Sequence, residues 1–420
     1  MPGNGLLVLA SETPISQVDT DSVNAMADHD DRDLSLDLEA FDLDALRRRK
    51  GVKWSWVDPA RFPMWVADMD FPLASAITET LQDSIGRGDV GYPSGEEMEE
   101  VREAYCQRTS SLYGVRFPSE LVELTSDVVQ SVYLGLLAYS DPGEAVVVNT
   151  PAYPPFFSAV SETGRQLVEA PLRLGADGYA LDLDQMESVI ASSGAKVVIL
   201  CNPHNPTGRV FSLAELEGLA EIASRHGLVV MSDEIHSDIV YPGSRHRPFA
   251  SVSEEAASRT VTLASASKSF NMAGLRCATV AFGSSELKRR FDAFPEHARG
   301  GLSVLGMRAT LAAWRSGGPW FSRVLGYLEA NRDMVAEVLG GIEGLVHFSP
   351  EATYLSWIDF SQLSMGEDPS ELLGEKAQVV LSPGPTFGEP GKGHARLNFA
   401  TPRPLLSRAL ERLAEACQAS

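Results

Sequence analysis

Short, almost wholly apolar runs alternate with helical patterns along the chain. The clearest run is Lys196 to Cys201, which has the composition of a strand buried on both faces. After a loop, Ser212 and Glu215 have the spacing of a capping box, and apolar residues then recur at helical intervals up to Gly227, a residue type that commonly ends helices. This pattern predicts a strand followed by a helix from about Leu213 to His226.

A second apolar run, Leu228 to Ser232, follows this helix and predicts the next strand. The strand, the helix and the second strand form one βαβ crossover, and the same alternation elsewhere predicts an α/β fold with a mostly parallel sheet flanked by helices. Asp233 comes directly after the second strand. It is therefore expected at the carboxyl edge of the sheet, where ligands bind in open α/β folds.

Length and composition narrow the classes of partner. The 420 residues are enough for two or three interwoven lobes, and the polar residues 1–36 predict a mobile acidic tail. A formal net charge of −22 disfavours nucleic acid and anionic membranes, so we expect a small-molecule partner. The four cysteines are far apart and support neither a disulfide framework nor a metal site. With no apolar span and no secretory signal, a cytoplasmic location is predicted.

One lysine, Lys268, lies among small hydroxylated residues directly after the β-rich run Thr260 to Leu263. A lysine in a partly desolvated site can lose its proton and attack an aldehyde. A surface lysine in a loop has the same local sequence, so this segment alone leaves both interpretations open.

Three motifs change that balance: Asn205-Pro206-Thr207-Gly208, Ser232-Asp233-Glu234-Ile235-His236 and Ser265-Ala266-Ser267-Lys268. Each is weak alone, but in this order and at these separations they resemble the fold-type I enzymes that depend on pyridoxal 5′-phosphate (PLP). Five segments further resemble the MalY/PatB branch, which contains cystathionine β-lyases and related carbon–sulfur lyases: Met64 to Phe71, Gly91 to Pro93, Asn202 to Gly208, Asp233 to Asp238 and Ser267 to Leu275.

The resemblance covers about residues 37–415 and implies a two-domain enzyme. Residues 78–309 would form the large PLP-binding domain. Residues 37–77 and 310–420 would together form the small domain, with residues 1–36 left as the tail.

The resemblance also assigns the ring-binding residues. Lys268 would carry PLP as a Schiff base, and Asp233 would hold the proton on the ring nitrogen, which makes the ring an effective electron sink. Asn205 would donate a hydrogen bond to the phenolic oxygen of the ring, and Tyr153 would stack on its face. His236 would approach the same phenolic oxygen, at a position where many aminotransferases of this fold have a tyrosine.

The cofactor phosphate needs helix N-terminal amides and a fixed cation. By the resemblance, Ser265, Arg276 and the amides of Val128 and Val129 supply these contacts. Tyr92 would reach the phosphate from a neighbouring subunit, which implies a homodimer with shared active sites.

Asp127 departs from the family pattern, because a glycine usually stands just before the two amides. A carboxylate there would lie near a phosphate dianion. Our hypothesis is that Asp127 caps its own helix and points away from the phosphate.

Arg396 matches the arginine that holds the substrate α-carboxylate in a bidentate fork, so the resemblance implies an α-amino acid substrate. Arg403 is a weaker candidate for the same role, and Trp65 is a candidate wall of the substrate pocket. The MalY/PatB motifs favour β-elimination of a thiol from an S-substituted L-cysteine, such as cystathionine or another cysteine S-conjugate. The alternatives are an aminotransferase and a regulatory binding protein that retains PLP.

Overall fold

The computed structural model describes residues 8–9 and 30–418. The α-helices of this part are α1 (Asp30–Leu34), α2 (Leu43–Arg47), α3 (Val52–Ser55), α4 (Ser75–Gly86), α5 (Gly95–Tyr113), α6 (Val128–Tyr139), α7 (Pro154–Glu162), α8 (Leu183–Ser193), α9 (Leu213–His226), α10 (Glu254–Ser258), α11 (Ser285–Asp292), α12 (Val304–Ser316), α13 (Gly318–Gly340), α14 (Pro369–Lys376) and α15 (Arg403–Gln418). The β-strands are β1 (Val8–Leu9), β2 (Phe62–Pro63), β3 (Val115–Arg116), β4 (Val122–Thr125), β5 (Ala145–Thr150), β6 (Gln166–Pro171), β7 (Arg173–Gly175), β8 (Gly178–Ala180), β9 (Val197–Cys201), β10 (Val229–Asp233), β11 (Thr260–Ala264), β12 (Ala278–Phe282), β13 (Val346–His347), β14 (Leu355–Asp359), β15 (Val379–Val380), β16 (Ser382–Pro383) and β17 (His394–Asn398). Short 3-10 helices cover Ser119–Leu121, Phe249–Ser251, Ala273–Leu275, Glu296–Arg299, Gly384–Phe387 and Glu389–Gly391.

The largest sheet has seven strands in the order β4-β12-β11-β10-β9-β5-β6. Its strands pair in parallel except at β12, which is antiparallel to both of its neighbours. Strand β9, helix α9 and strand β10 form the predicted βαβ crossover, with Val197 paired to Val229. The prediction of an α/β fold with a mostly parallel sheet flanked by helices is confirmed.

The local signals at α9 explain its bounds. Ser212 and Glu215 form a complete capping box, which satisfies amide groups that the first helical turn leaves without partners. Gly227 ends the helix in the left-handed conformation, with φ at 64°. The predicted helix from Leu213 to His226 is confirmed residue for residue.

Apolar side chains cover both faces of the large sheet. One cluster lies between the sheet and α6, α7 and α11, and another lies between its opposite face and α8 and α9. Because each of these central strands is buried on both sides, their sequences are nearly continuous apolar runs.

A third cluster joins the two ends of the chain. It packs residues from Leu38 to Ile77 against residues from Ala309 to Cys417. Two strand pairings accompany it: the antiparallel sheet β13-β14-β17-β16, and the parallel pair of β2 with β15. This packing agrees with the domain boundaries at 77/78 and 309/310, which stay a prediction.

Part of the predicted tail is packed against the rest of the chain. The backbone N–H of Ser75 donates to Asp33 Oδ1 at 3.0 Å, and Arg32 forms an ion pair with Glu79 at 2.7 Å. Strand β1 pairs antiparallel with β3. The remaining tail residues, 1–7 and 10–29, lie outside the described part.

No helix of the described chain combines the length and the apolar character that crossing a bilayer requires.

Candidate active site

The carboxyl ends of β9, β10 and β11 open into a cavity of about 510 Å³. It brings together all but two of the candidate site residues, namely Trp65, Val128, Val129, Tyr153, Asn205, Asp233, His236, Ser265, Lys268, Arg276 and Arg396. Two structural units contribute, since the large sheet provides most of these residues and the strand β17 provides Arg396.

Lys268 lies in the turn after β11, and its Nζ donates to the backbone oxygen of Ala67 at 2.9 Å. The Tyr354 hydroxyl donates to the same oxygen at 2.8 Å. Burial lowers the pKa of Lys268, and the nearby Asp68 carboxylate acts in the opposite direction. Since only the neutral amine is a nucleophile or a base, this environment prepares Lys268 for both tasks.

Asp233 is the last residue of β10 and is paired on its two sides with Leu263 and Cys201. Its side chain is buried, and Oδ1 accepts a hydrogen bond from the Ile235 N–H at 3.0 Å. Burial raises the pKa of Asp233 to about 7, because a charged carboxylate is poorly solvated there. A protonated partner aimed at this carboxylate would favour its charged form, which is what a pyridine nitrogen in the cavity would provide.

His236 and Asn205 line the same cavity as Asp233. Burial lowers the pKa of His236 to about 3, with smaller contributions from Lys268 and Arg396, so its imidazole is neutral. Its Nδ1 is buried and has no hydrogen-bond partner among the described residues. The Asn205 Oδ1 accepts a hydrogen bond from Arg396 Nη1 at 2.9 Å, which leaves its amide N–H groups to donate elsewhere.

Tyr153 stands immediately before α7, at the helix N-cap position. Its ring meets Phe156 edge to face, with ring centroids 5.8 Å apart, and it lines the cavity. The aromatic contact holds the ring in place. The predicted stacking of Tyr153 on the cofactor stays a prediction.

The amino end of α6 presents the backbone of Val128 and Val129 to the cavity. Asp127 caps this helix by accepting from the Gln130 N–H at 2.8 Å, as our hypothesis required. The second part of that hypothesis, that the carboxylate points away from the phosphate, stays a prediction; Oδ2 forms an ion pair with Arg276, and both residues line the cavity. The arginine expected to bind phosphate attracts this carboxylate as well.

Ser265 is already engaged by its own loop. Its hydroxyl donates to the Cys277 backbone oxygen at 2.7 Å and accepts from the Ser267 N–H at 3.1 Å. A contact from this hydroxyl to phosphate, as predicted, would require it to rotate away from Cys277.

Arg396 is buried, and the aromatic ring of Phe387 lies 5.0 Å from its guanidinium carbon. Its Nη2 donates to the Trp65 backbone oxygen at 3.0 Å and to the Ser382 hydroxyl at 3.1 Å. Burial lowers the pKa of Arg396 to about 10, which still leaves it charged near neutral pH. Three of its five N–H groups are used, so one Nη1–H and the Nε–H, which is buried without a partner among the described residues, remain for an anion.

Two candidates lie outside the cavity. Tyr92 has a fully exposed side chain, at 102% relative accessibility, in a surface groove formed by Val90–Pro93 and Leu302–Leu305. Arg403 pairs with Glu39 at 2.7 Å and lies over the Tyr327 ring. Within one chain, neither residue reaches the predicted cofactor site.

The motifs did not predict Ala67, Ser382 and Phe387. Ala67 contributes only a backbone oxygen, which the side-chain sequence does not reveal. Ser382 and Phe387 belong to a segment rich in proline and glycine, which predicts a turn and no particular chemistry.

Comparison with known proteins identifies this arrangement. The family model of aminotransferase class I and II matches residues 66–413, which is most of the chain. The chain belongs to this family. Within it, the cystathionine β-lyase PatB of Bacillus subtilis (strain 168) is 34% identical over 354 residues, which are 84% of this chain and 91% of PatB.

Two solved structures of the family have the same fold. OvoB matches with a TM-score of 0.86 and 38% identity, over 92% of this chain and all of OvoB. The PLP-bound C–S lyase from Staphylococcus hominis matches with a TM-score of 0.84 and 28% identity, over 92% of this chain and all of the lyase. These matches confirm the resemblance to PLP enzymes of the MalY/PatB branch.

Proposed function

We propose that this member of the family is a PLP-dependent carbon–sulfur β-lyase. It would convert an S-substituted L-cysteine and water into a thiol, pyruvate and ammonia. The observation that carries the proposal is the convergence of Lys268, Asp233 and Arg396 on one cavity at the carboxyl edge of the sheet. The similarity to PatB and to the C–S lyase from Staphylococcus hominis supports elimination over other reactions of the fold.

The residues of the cavity fit PLP. When bound, PLP accepts the electron pair that remains when a Cα–H bond of the amino acid breaks. Lys268 would carry the cofactor through Nζ and, once displaced by the substrate amine, would take the Cα proton. Asp233 would hold the proton on the ring nitrogen, and this pairing would offset the cost of burying its carboxylate.

The other residues orient the reacting groups. Arg396 would bind the substrate α-carboxylate through the Nε–H and the Nη1–H that its protein contacts leave free. Asn205 contacts Arg396 and would donate to the phenolic oxygen of the cofactor, so one amide would link the two bound molecules. Val128 and Val129 would bind the phosphate through their amides.

Elimination of a thiol places few further demands on the protein. A typical thiol has a pKa of about 8.5, so the thiolate leaves from Cβ without strong assistance. The main requirement is to hold the C–S bond aligned with the electrons released at Cα.

The proposed active unit is a homodimer. The exposed side chain of Tyr92 and its groove support this proposal, because a second copy packed there would bury both. Sedimentation of the holoenzyme tests it. A monomer that retains PLP and full activity would contradict the proposal.

The remaining predictions concern location and partners. We propose a cytoplasmic enzyme that binds neither nucleic acid nor membranes. The net charge of −22 supports the lack of affinity for polyanions.

The test of function is pyruvate formation by the purified holoenzyme from L-cystathionine and S-alkyl and S-aryl cysteines, without any keto acid. Pyruvate and free thiol in equal amounts would support a β-lyase. Amino-group transfer that requires an added keto acid would instead identify an aminotransferase. Neither reaction, with cofactor bound and a protein partner captured, would favour the regulatory alternative.

A further inference from the structure

An exposed tryptophan stands next to the cavity. Trp56 follows α3 and has 75% of its side chain exposed, which is unusual for the largest apolar side chain. Its ring lies 6.3 Å from that of Trp65, at an angle of 31°. Trp65 is among the residues that line the cavity, so the pair of indoles connects a cavity-lining residue with an exposed aromatic side chain.

Trp65 is held firmly beside the arginine that would bind the substrate. Its Nε1 donates to the Lys53 backbone oxygen at 3.1 Å, and its own backbone oxygen accepts from Arg396 Nη2 and from the Ser382 hydroxyl. The only hydrogen-bond donor of the indole is therefore used. What the ring offers to a ligand is apolar and aromatic surface.

The charged side chains of the cavity lining already have assigned partners or tasks. Asp127 pairs with Arg276, Asp233 faces the cofactor ring, Lys268 carries the cofactor, and Arg396 faces the α-carboxylate. The adjacent cavity of about 200 Å³ is lined by Arg49, Lys53, Asp68 and Asp70, and its two cations pair with Asp70, Lys53 at 2.8 Å and Arg49 at 3.9 Å. Among the described residues that line the main cavity, the thiol-bearing half of a substrate thus meets no cation beyond those assigned.

We propose that Trp56 and Trp65 form an aromatic subsite for the thiol-bearing half of the substrate. The preferred substrates are then cysteine conjugates whose sulfur carries a planar aromatic group. Homocysteine, the thiol that leaves from cystathionine, carries a carboxylate and an ammonium group that this surface does not match. The inference rests on the proposed function, since it names the substrate of that same site.

Kinetics of variants test the subsite. We expect Trp56→Ala to lower kcat/KM for S-phenyl-L-cysteine by about five- to tenfold and for S-ethyl-L-cysteine by less than about twofold. For each substrate, kcat/KM of the variant is divided by kcat/KM of the wild type. The aromatic thiol is the better leaving group in both proteins, so this difference cancels in the ratio. Trp56→Phe, which keeps a ring, should retain most of the preference, and Leu174→Ala, at another exposed apolar residue, should change neither substrate.

Two results would overturn the inference. One is an equal loss for both substrates, as a purely structural role or packing of Trp56 against a second subunit would give. The other is no loss for either substrate.

A binding measurement separates the subsite from the reaction. The compound 3-(phenylthio)propanoate has the carboxylate and the aromatic sulfur but no amine, so it cannot react with the cofactor. Titration calorimetry of the holoenzyme should show that it binds more tightly than 3-(ethylthio)propanoate, and that Trp56→Ala removes the difference. If no cysteine conjugate yields pyruvate but this preference is present, the proposed function fails and the subsite stands; equal binding of the two compounds overturns the subsite.

Discussion

The cavity has two halves that are built in different ways. The floor, which consists of Asn205, Asp233, His236 and Lys268, lies at the end of β10 and in the loops that follow β9, β10 and β11, three neighbouring parallel strands. The wall, which consists of Trp65, Ser382, Phe387 and Arg396, comes from the two ends of the chain. The floor is positioned by the large sheet. The wall is positioned by the smaller sheet, in which Ser382 of β16 pairs with Arg396 of β17, and by hydrogen bonds from both side chains to the Trp65 backbone oxygen.

The two halves are proposed to have different tasks. The floor would carry out the reaction, and the wall would select the substrate. A side chain at the end of a strand, or a few residues after it, has a position that the strand determines. Short sequence motifs can therefore identify the residues expected to bind the cofactor. The wall needs residues that are far apart in sequence, such as Trp65 and Ser382, whose hydrogen bond spans 317 positions. Apart from the hydrogen bond from Arg396 to Asn205, which joins the two halves, the wall can therefore vary without a change in the floor. The predictions below test that independence.

The largest effect is expected on the floor, at Lys268. The variant Lys268→Ala removes the covalent attachment and the base, so we expect turnover to fall by about 10⁴-fold or more. The visible absorption band of the lysine-bound cofactor should disappear as well. Lys196→Ala, at an exposed lysine outside the cavity, is the control. Retention of the band in Lys268→Ala would contradict the assignment.

Asp233→Asn should be the next most harmful change. The amide cannot stabilise a protonated ring nitrogen, so we expect kcat to fall by about 10²- to 10³-fold while cofactor remains bound. Absorbance titration with PLP measures whether the variant still binds the cofactor. A near-normal kcat would remove Asp233 from the mechanism.

A change in the wall should affect the substrate and spare the cofactor. Arg396→Lys keeps the charge but loses the fork, so kcat/KM should fall by about 10- to 100-fold, mainly through KM. The affinity for PLP should change by less than about twofold if the halves are independent. Arg403→Lys is the matched control, because Arg403 lies outside the cavity. An equal loss of PLP binding in Arg396→Lys would break the distinction between floor and wall.

The buried carboxylate also predicts a pH dependence of stability in the cofactor-free protein. The pKa of Asp233 is about 7 in the folded chain, and an unfolded aspartate has a pKa of about 3.9. Between these values the folded state binds more protons than the unfolded state, so stability falls as pH rises through this window.

Asp233→Asn should remove that fall. The free energy of unfolding of both cofactor-free proteins is measured with urea at pH 5 and pH 8. Relative to the wild type, the free energy of unfolding of the variant should be higher at pH 8 than at pH 5 by on the order of 1 kcal/mol or more. If the difference in free energy of unfolding between the two proteins is the same at both pH values, the raised pKa of Asp233 is refuted.

The smallest effect is expected at Asp127. Asn caps a helix as well as Asp does, so Asp127→Asn should keep α6 and release Arg276. We expect PLP to bind about threefold more tightly, because exposed ion pairs of this kind contribute little but compete directly. Asp182→Asn, which changes the N-cap of α8, should leave the affinity unchanged. Weaker binding in Asp127→Asn would show that the carboxylate assists the site.

The same division explains what the sequence could predict. The bounds of α9 follow from local signals, namely a capping box, apolar spacing and a terminal glycine, whereas the convergence of Asp233, Asn205 and Lys268 was implied by the resemblance of their motifs to fold-type I PLP enzymes. The partner of the Asp127 carboxylate was not predictable, because Arg276 meets it only through the pairing of β4 with β12. The same limit applies to Ser382 and to the backbone oxygen of Ala67, whose positions depend on long-range packing.

The hydrogen bond between Trp65 and Arg396 spans 331 positions, and this separation has a consequence for synthesis on the ribosome. The strands that carry the floor emerge first and can pair while the C-terminal segment is still being translated. At about 5–20 residues per second, Arg396 follows Lys268 only after several seconds. During that interval the nascent chain has its floor but not its wall, so a ligand that needs both must wait for the last segment of the chain.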